Sequence, residues 1–142
     1  MEDILEKKIL INAPAAEVWK LLTDTRLMTT WMGSGEMDLE ISTSWEVGTP
    51  ILIKGFHHVK FQNKGTVMEY VPGSVVSYNF LSSISRLPNK PENHTTLRFV
   101  LKPGEDKTTL LLTISNFPTE EIYHHLNFYW NVTLAMLSRQ YA

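Results

Sequence analysis

The side chains with the most chemistry to offer are two histidine pairs, His57-His58 and His124-His125, and the strand-borne charges Lys54, Glu69 and Arg98. Neighbouring residues of a strand point to opposite faces, so one imidazole of the first pair can face inward. Neighbours on a helix diverge by roughly 100°, so the second pair cannot grip one ion together, and the i, i+4 spacing of a helical metal site is missing. No metal is expected. His57 and His125 remain candidates to hydrogen-bond a ligand. Acid–base catalysis needs a buried group with a displaced pKa, and nothing in the sequence assigns one. Glu69 reads as half of a cross-strand ion pair. There is no nucleophile elbow, Walker loop or dinucleotide fingerprint. Gly33-Ser34-Gly35 lacks the strand and helix that would flank a phosphate cradle, and reads as a turn. With no cysteine, disulfides, thiolate metal sites and thiol nucleophiles are excluded. The expectation is a protein without a cofactor and without catalytic residues.

The chain around these residues is ordinary globular material: 142 residues, 43% hydrophobic and 20% charged. It is read as one domain over residues 1–142, large enough to bury its own core. Thirteen Lys and Arg against fifteen Asp and Glu leave a net charge of −2 and exclude a strongly basic nucleic-acid binder. The opening MEDILEKKIL lacks the basic-then-apolar order of a secretion signal, and no apolar run reaches the ~18 residues of a spanning helix. A cytoplasmic protein with no membrane partner is expected.

The elements that must position the candidates follow from periodicity. Ile4 to Ile11 alternates imperfectly, with Leu5, Lys7, Ile9 and Ile11 on one side, and reads as a strand. Pro14 opens a short helix to about residue 23, and Asp24 or Thr25 caps a second that ends near Trp31-Met32. Strand segments then follow: Met37–Ile41, Ile51–Phe61, Thr66–Val71, Val75–Leu81, Thr95–Lys102 and Thr108–Ser115. The expected turns are Asn63-Lys64-Gly65, Pro72-Gly73 and Pro103-Gly104. Ser82 to Asn93 is a long connection anchored by Leu81, Ile84 and Leu87, able to serve as a lid. From Thr119, a helix cap, to Tyr141 there is no Gly or Pro, which allows about 22 residues or ~33 Å of helix.

That last helix carries a stripe of Tyr123, Leu126, Trp130, Leu134, Leu137 and Tyr141. The late strands offer a matching apolar face in Val76, Tyr78, Phe80, Leu97, Phe99, Leu101, Leu110, Leu112 and Ile114. A sheet with one apolar face needs a cover, and this is the only helix long enough to cross it. The fold class is therefore α+β, a curved antiparallel sheet of six to seven strands, two short helices near the N-terminus and one long C-terminal helix laid across.

The sequence resembles the START-like, SRPBCC superfamily, which includes the birch-pollen allergen. Within it, the chain is similar to the group of homologues of the activator of heat-shock-protein ATPase. The likeness rests on Ile11-Asn12-Ala13-Pro14-Ala15-Ala16-Glu17-Val18-Trp19, then Trp31, then Gly65-Thr66-Val67-Met68-Glu69-Tyr70-Val71-Pro72. It continues through Leu87-Pro88-Asn89, Pro91-Glu92-Asn93, Thr108-Thr109-Leu110 and Asn116-Phe117-Pro118 to His125 and Trp130. The resemblance implies a helix-grip fold with a cavity between sheet and helix. The eukaryotic activator carries a separate N-terminal domain for which 142 residues leave no room, so chaperone activation is not expected. Relatives that bind lipids, hormones or polyketides make a small apolar ligand the leading expectation.

An empty pocket of ~300 Å³ would forfeit up to ~7 kcal/mol, as much as a domain's whole stability, so one that exists is there for a reason. Its expected lining is Trp31, Ile53, Tyr78, Phe80, Phe99, Leu112 and Trp130, with His57 and His125 as polar contacts. The competing expectation is that the Trp, Phe and Met side chains fill the space. Two further readings stand beside it. An interaction or co-chaperone-like module, as a homodimer, would use Phe128, Tyr129, Val132 and Met136 off the helix stripe. An enzyme of cyclase or hydrolase type would need a buried His or carboxylate.

Overall fold

The computed structural model describes residues 3–33, 37–57, 59–82 and 85–141, without the side chain of His57. His58, Ile84 and the Ser34-Gly35 part of the expected turn lie outside the described residues. The element order is β1 (Ile4–Ile11), α1 (Ala15–Thr23), α2 (Thr25–Met28), β2 (Glu40–Thr43), β3 (Pro50–His57), β4 (Val59–Val71), β5 (Val75–Ser82), β6 (Thr95–Pro103), β7 (Thr108–Ser115) and α3 (Glu120–Arg139). The strands form one antiparallel sheet in the order β1-β7-β6-β5-β4-β3-β2. With α3 across its apolar face this is the α+β helix grip. Among the described residues no helix is long and apolar enough to cross a membrane.

The helix starts obey local chemistry. The Asp24 carboxylate accepts from the amides of Arg26 and Leu27, and the Thr119 hydroxyl from the amide of Ile122. Glu120 and Glu121 occupy the first turn of α3, where negative charge suits the helix dipole. Tyr123, Leu126, Trp130, Thr133, Leu134 and Leu137 are its buried side.

Strand register sorts the inner face into rows. Tyr78, Leu97, Ile114 and Leu5 stand abreast across β5, β6, β7 and β1, and Val76, Phe99, Leu112 and Lys7 form the next row. The perfect in–out alternation of β7, with Thr108, Leu110, Leu112 and Ile114 buried, shows how a two-residue period makes one face of a sheet apolar.

The structure moves one expected hairpin. β3 ends at His57, which pairs with Val59 at the start of β4, and Asn63-Lys64-Gly65 runs through the middle of β4. Gly65 is there for closeness, not for a turn. A Cβ at this position would lie 1.7 Å from the carbonyl oxygen of Asn79 on β5. The β4–β5 register slips by one between Val67 and Glu69, a bulge. Val67 faces inward before it and Tyr70 after it, so the bulge turns Glu69 outward. There Glu69 takes a hydrogen bond from Arg98 Nε at 2.8 Å, over Ser77 of the intervening strand.

Candidate functional site

The space between α3 and the sheet is the place where this fold can hold something. Its centre is occupied by rings. Trp31 lies 6.2 Å from Trp130, Trp130 5.7 Å from Phe99, Phe99 6.2 Å from Tyr78 and Tyr78 6.0 Å from Trp45, and Trp45 stacks on Tyr70 at 5.8 Å. Edge-on and offset ring pairs at these separations are favourable beyond their buried area. Trp31 keeps 1% of its surface, Tyr78 1% and Trp130 2%. Six of the nine residues expected to line a pocket, Trp31, Ile53, Tyr78, Phe99, Leu112 and Trp130, are thus buried, and the rings among them pack on one another. At the centre of the seam the filled-core expectation is the one met.

The polar atoms of these rings are placed. Trp31 Nε1 donates to the Leu21 carbonyl at 2.8 Å, fixing the segment after α2 to α1. Trp45 Nε1 donates to the Thr23 carbonyl at 2.6 Å. Trp45 does so from a backbone φ of 62°, in the left-handed region that bulky residues rarely enter. The Tyr129 hydroxyl donates to the Met32 carbonyl. Burial pushes the Tyr78 phenol far up from its ordinary pKa, and a charge on Tyr129 would raise it further. Burial raises Tyr129 likewise. Tyr78 is thus held as a neutral phenol in the core, with the half-buried Tyr129 close enough for its charge to matter.

At the β2–β4 end the seam is only partly closed. Phe80, two residues along β5 from Tyr78 and on the same face, is half-buried. Ile41 faces Ile53 across β2–β3, and the next row runs Ile51, Gly65, Phe80. Leu39 and Phe61 close over Gly55, where a Cβ would lie within 2.8 Å of both. Leu39, Ile41, Phe61 and Phe80 are all half-buried against the core. They form a rim of apolar side chains over the inner face. Phe61 and Leu39 are members the sequence reasoning missed. The sequence alone ends a strand at Phe61 before a turn, whereas in the β3–β4 ladder Phe61 pairs with Gly55 and lies on the same face as Gly65 and Val67.

The histidines do not converge on this space. His125 is exposed on the solvent side of α3, with its ring 6.2 Å from that of Tyr129. This corrects its expected inward position; the cause is its place on the wheel, well away from Trp130. His57 ends β3 opposite Val59. His124 pairs weakly with Glu120 at 3.4 Å on the surface. Among the described residues no three His, Asp or Glu side chains gather as metal ligands.

The long connection is tied down at its far end. The Asn116 amide donates to the carbonyls of Glu92 and His94, and Asn93 Nδ2 to that of Pro88. An open groove of about 480 Å³ runs between β1 and α3, lined by Lys7, Ile9, Asn131, Leu134 and Ser138 among others. Lys7 Nζ bridges it, donating to Asn127 and Asn131 at 2.6 Å each. Burial lowers its pKa.

Comparison with known proteins places this geometry. The family described as Activator of Hsp90 ATPase homolog 1-like protein matches residues 12–141. A crystal structure of a protein from Chromobacterium violaceum superposes with a TM-score of 0.84 at 16% identity, covering 99% of this chain and 98% of that one. A solution structure from Cytophaga hutchinsonii gives 0.78 at 27% identity over 98% and 94%. The solution structure of the Aha1 dimer from Colwellia psychrerythraea gives 0.75 at 23% identity over 97% and 95%. No curated protein matches the chain in sequence.

Proposed function

Because the chain belongs to the family of Activator of Hsp90 ATPase homolog 1-like proteins, we propose that it uses the helix-grip seam of that fold to bind a small, largely apolar molecule. The ligand would enter at the β2–β4 end, over Leu39, Ile41, Ile53, Phe61 and Phe80, with the aromatic centre as its floor. One observation carries this reading: at the β2–β4 end Leu39, Ile41, Phe61 and Phe80 stay half-buried against the fully buried aromatic centre. Half-buried apolar surface beside two hydrogen-bonding phenols is the composition of a small-molecule site. Tyr78 and Tyr129 would orient one polar group of the ligand. The reading is of a binder and not a catalyst, and it rests on the apolar character of this rim.

The test is a thermal-shift panel of fatty acids, flat aromatic acids and an apolar dye. A ligand present at about a hundred times its Kd adds about 2.7 kcal/mol, a rise of several degrees in Tm. The rise should shrink in Phe80→Ala and Tyr78→Phe and stay in Glu69→Ala, which alters only the outer face. If no compound shifts the wild-type Tm, the reading fails.

A further inference from the structure

The outer side of α3 repeats a pattern that its core side does not explain. Glu121, His125, Phe128, Val132, Ala135 and Arg139 follow one another at spacings of four, three, four, three and four. That is the seam of a heptad helix, and on an α-helix it makes one continuous stripe. The stripe lies on the far side from Tyr123, Leu126, Trp130 and Leu137, which face the sheet. Its middle is apolar and open: Phe128 is 72% exposed and Val132 46%. Glu121, His125 and Arg139 are exposed and Ala135 is half-buried. Phe128 and Val132 together leave an apolar stretch open to water at the centre of this helix face.

The order of residues in the stripe says what can lie on it. The stripe is complementary to its own reverse. Laid antiparallel on a second copy about a two-fold axis at residue 130, Phe128 meets Val132 of the other copy, His125 meets Ala135, and Glu121 meets Arg139. A two-fold interface requires this reciprocity, each residue of a pair appearing once on either side. The parallel arrangement would instead place Glu121 on Glu121 and Arg139 on Arg139. We infer that α3 is a self-association surface, on which two copies of the chain pair antiparallel through Phe128 and Val132, with Glu121–Arg139 ion pairs at both ends.

The stripe spans ~27 Å of helix. One helix face falls short of the ~1,200–2,000 Å² that stable interfaces bury, so the association is weak, with a Kd on the order of 10–100 μM. It leaves the β2–β4 mouth of the seam uncovered, so it stands or falls apart from ligand binding.

Sedimentation velocity on the full chain across a wide concentration range tests it. The wild type should move from monomer toward dimer with concentration. Phe128→Asp should stay monomeric throughout, with a Tm unchanged in dilute solution because this side chain touches little of its own fold. Glu121→Lys and Arg139→Glu should each weaken association several-fold, and the double exchange should restore it, because the ion pairs are re-formed with their signs reversed. A wild type still monomeric at about 1 mM overturns the inference, since that is well above the expected Kd. So does association that survives Phe128→Asp, or a double variant no tighter than the single ones.

Discussion

The two ends of the seam between α3 and the sheet are built from the same kinds of side chain and finished differently. Under the middle of α3, Trp130 meets Phe99 edge to face and Trp31 at a tilt, and the polar atom of Trp31 is paired with a backbone carbonyl. At the β2–β4 end, Leu39, Ile41, Phe61 and Phe80 touch the core with one side and water with the other. Aromatic content does not separate the two regions. What separates them is whether a second layer lies on top. The central rings are roofed by α3, while the β3–β4 hairpin runs past the end of β5 and carries Phe61 beyond the roof.

The sharpest way to break the comparison is to cut one ring from each region. Trp130→Ala should cost about 3–5 kcal/mol, because the cavity it leaves is enclosed by close-packed neighbours. Phe61→Ala should cost only about 1–2 kcal/mol, because part of that ring is already in water. Urea melts of the two variants decide it; equal losses would mean the rim is as much a part of the core as the centre.

Alkaline titration sharpens the comparison from the other side. The Tyr78 phenol sits above the ordinary 10.0 in the folded protein, so as pH rises the unfolded chain releases this proton first. Stability is therefore intact below pH 10 and falls above it. Thermal melts between pH 9 and 11 should show that fall in the wild type and a shallower one in Tyr78→Phe, which keeps the ring and removes the proton. Identical slopes would mean that the phenol is not sealed.

The smallest effect belongs to the outer face. Glu69 and Arg98 are well exposed, and pairs of this kind contribute at most about 1 kcal/mol. Glu69→Ala should lower the Tm by a few degrees at most, and by less in high salt. A larger loss would give the outer face a share in the core's stability that its exposure does not suggest.

How much of this could be read in the sequence depends on which feature had a single meaning. The cap at Thr119, the glycine- and proline-free run behind it and the stripe through Trp130 all pointed one way, and α3 with its buried side followed. Alternation in Thr108–Ser115 was equally direct. Gly65 had two meanings. The same missing Cβ that permits a turn also permits two strands to close on each other, and the second applied. β3 ends instead at His57 and β4 begins at Val59, residues with no turn chemistry to announce a boundary. The bulge at Met68 shifts in–out parity by one, which no count of apolar residues reveals until the partner strand is in register. For the candidate site, Tyr78, Phe99 and Trp130 were identifiable as inner-face residues by period alone, and Trp31 only through the family resemblance. Whether they would surround a space or fill it depended on how rings of known size meet across three elements. Trp45 and Tyr129, which complete the arrangement, sit in a loop and off the main stripe, where periodicity is silent.

Trp45 has a mechanical consequence. A non-glycine residue held in the left-handed region carries about 1–3 kcal/mol of backbone strain. Its indole stays in place because the Thr23 carbonyl and the Tyr70 ring hold it there. When those grips let go, the main chain recovers that energy by relaxing. The contacts of the indole therefore offset a strain in its own main chain, and their net contribution to stability is smaller by that amount.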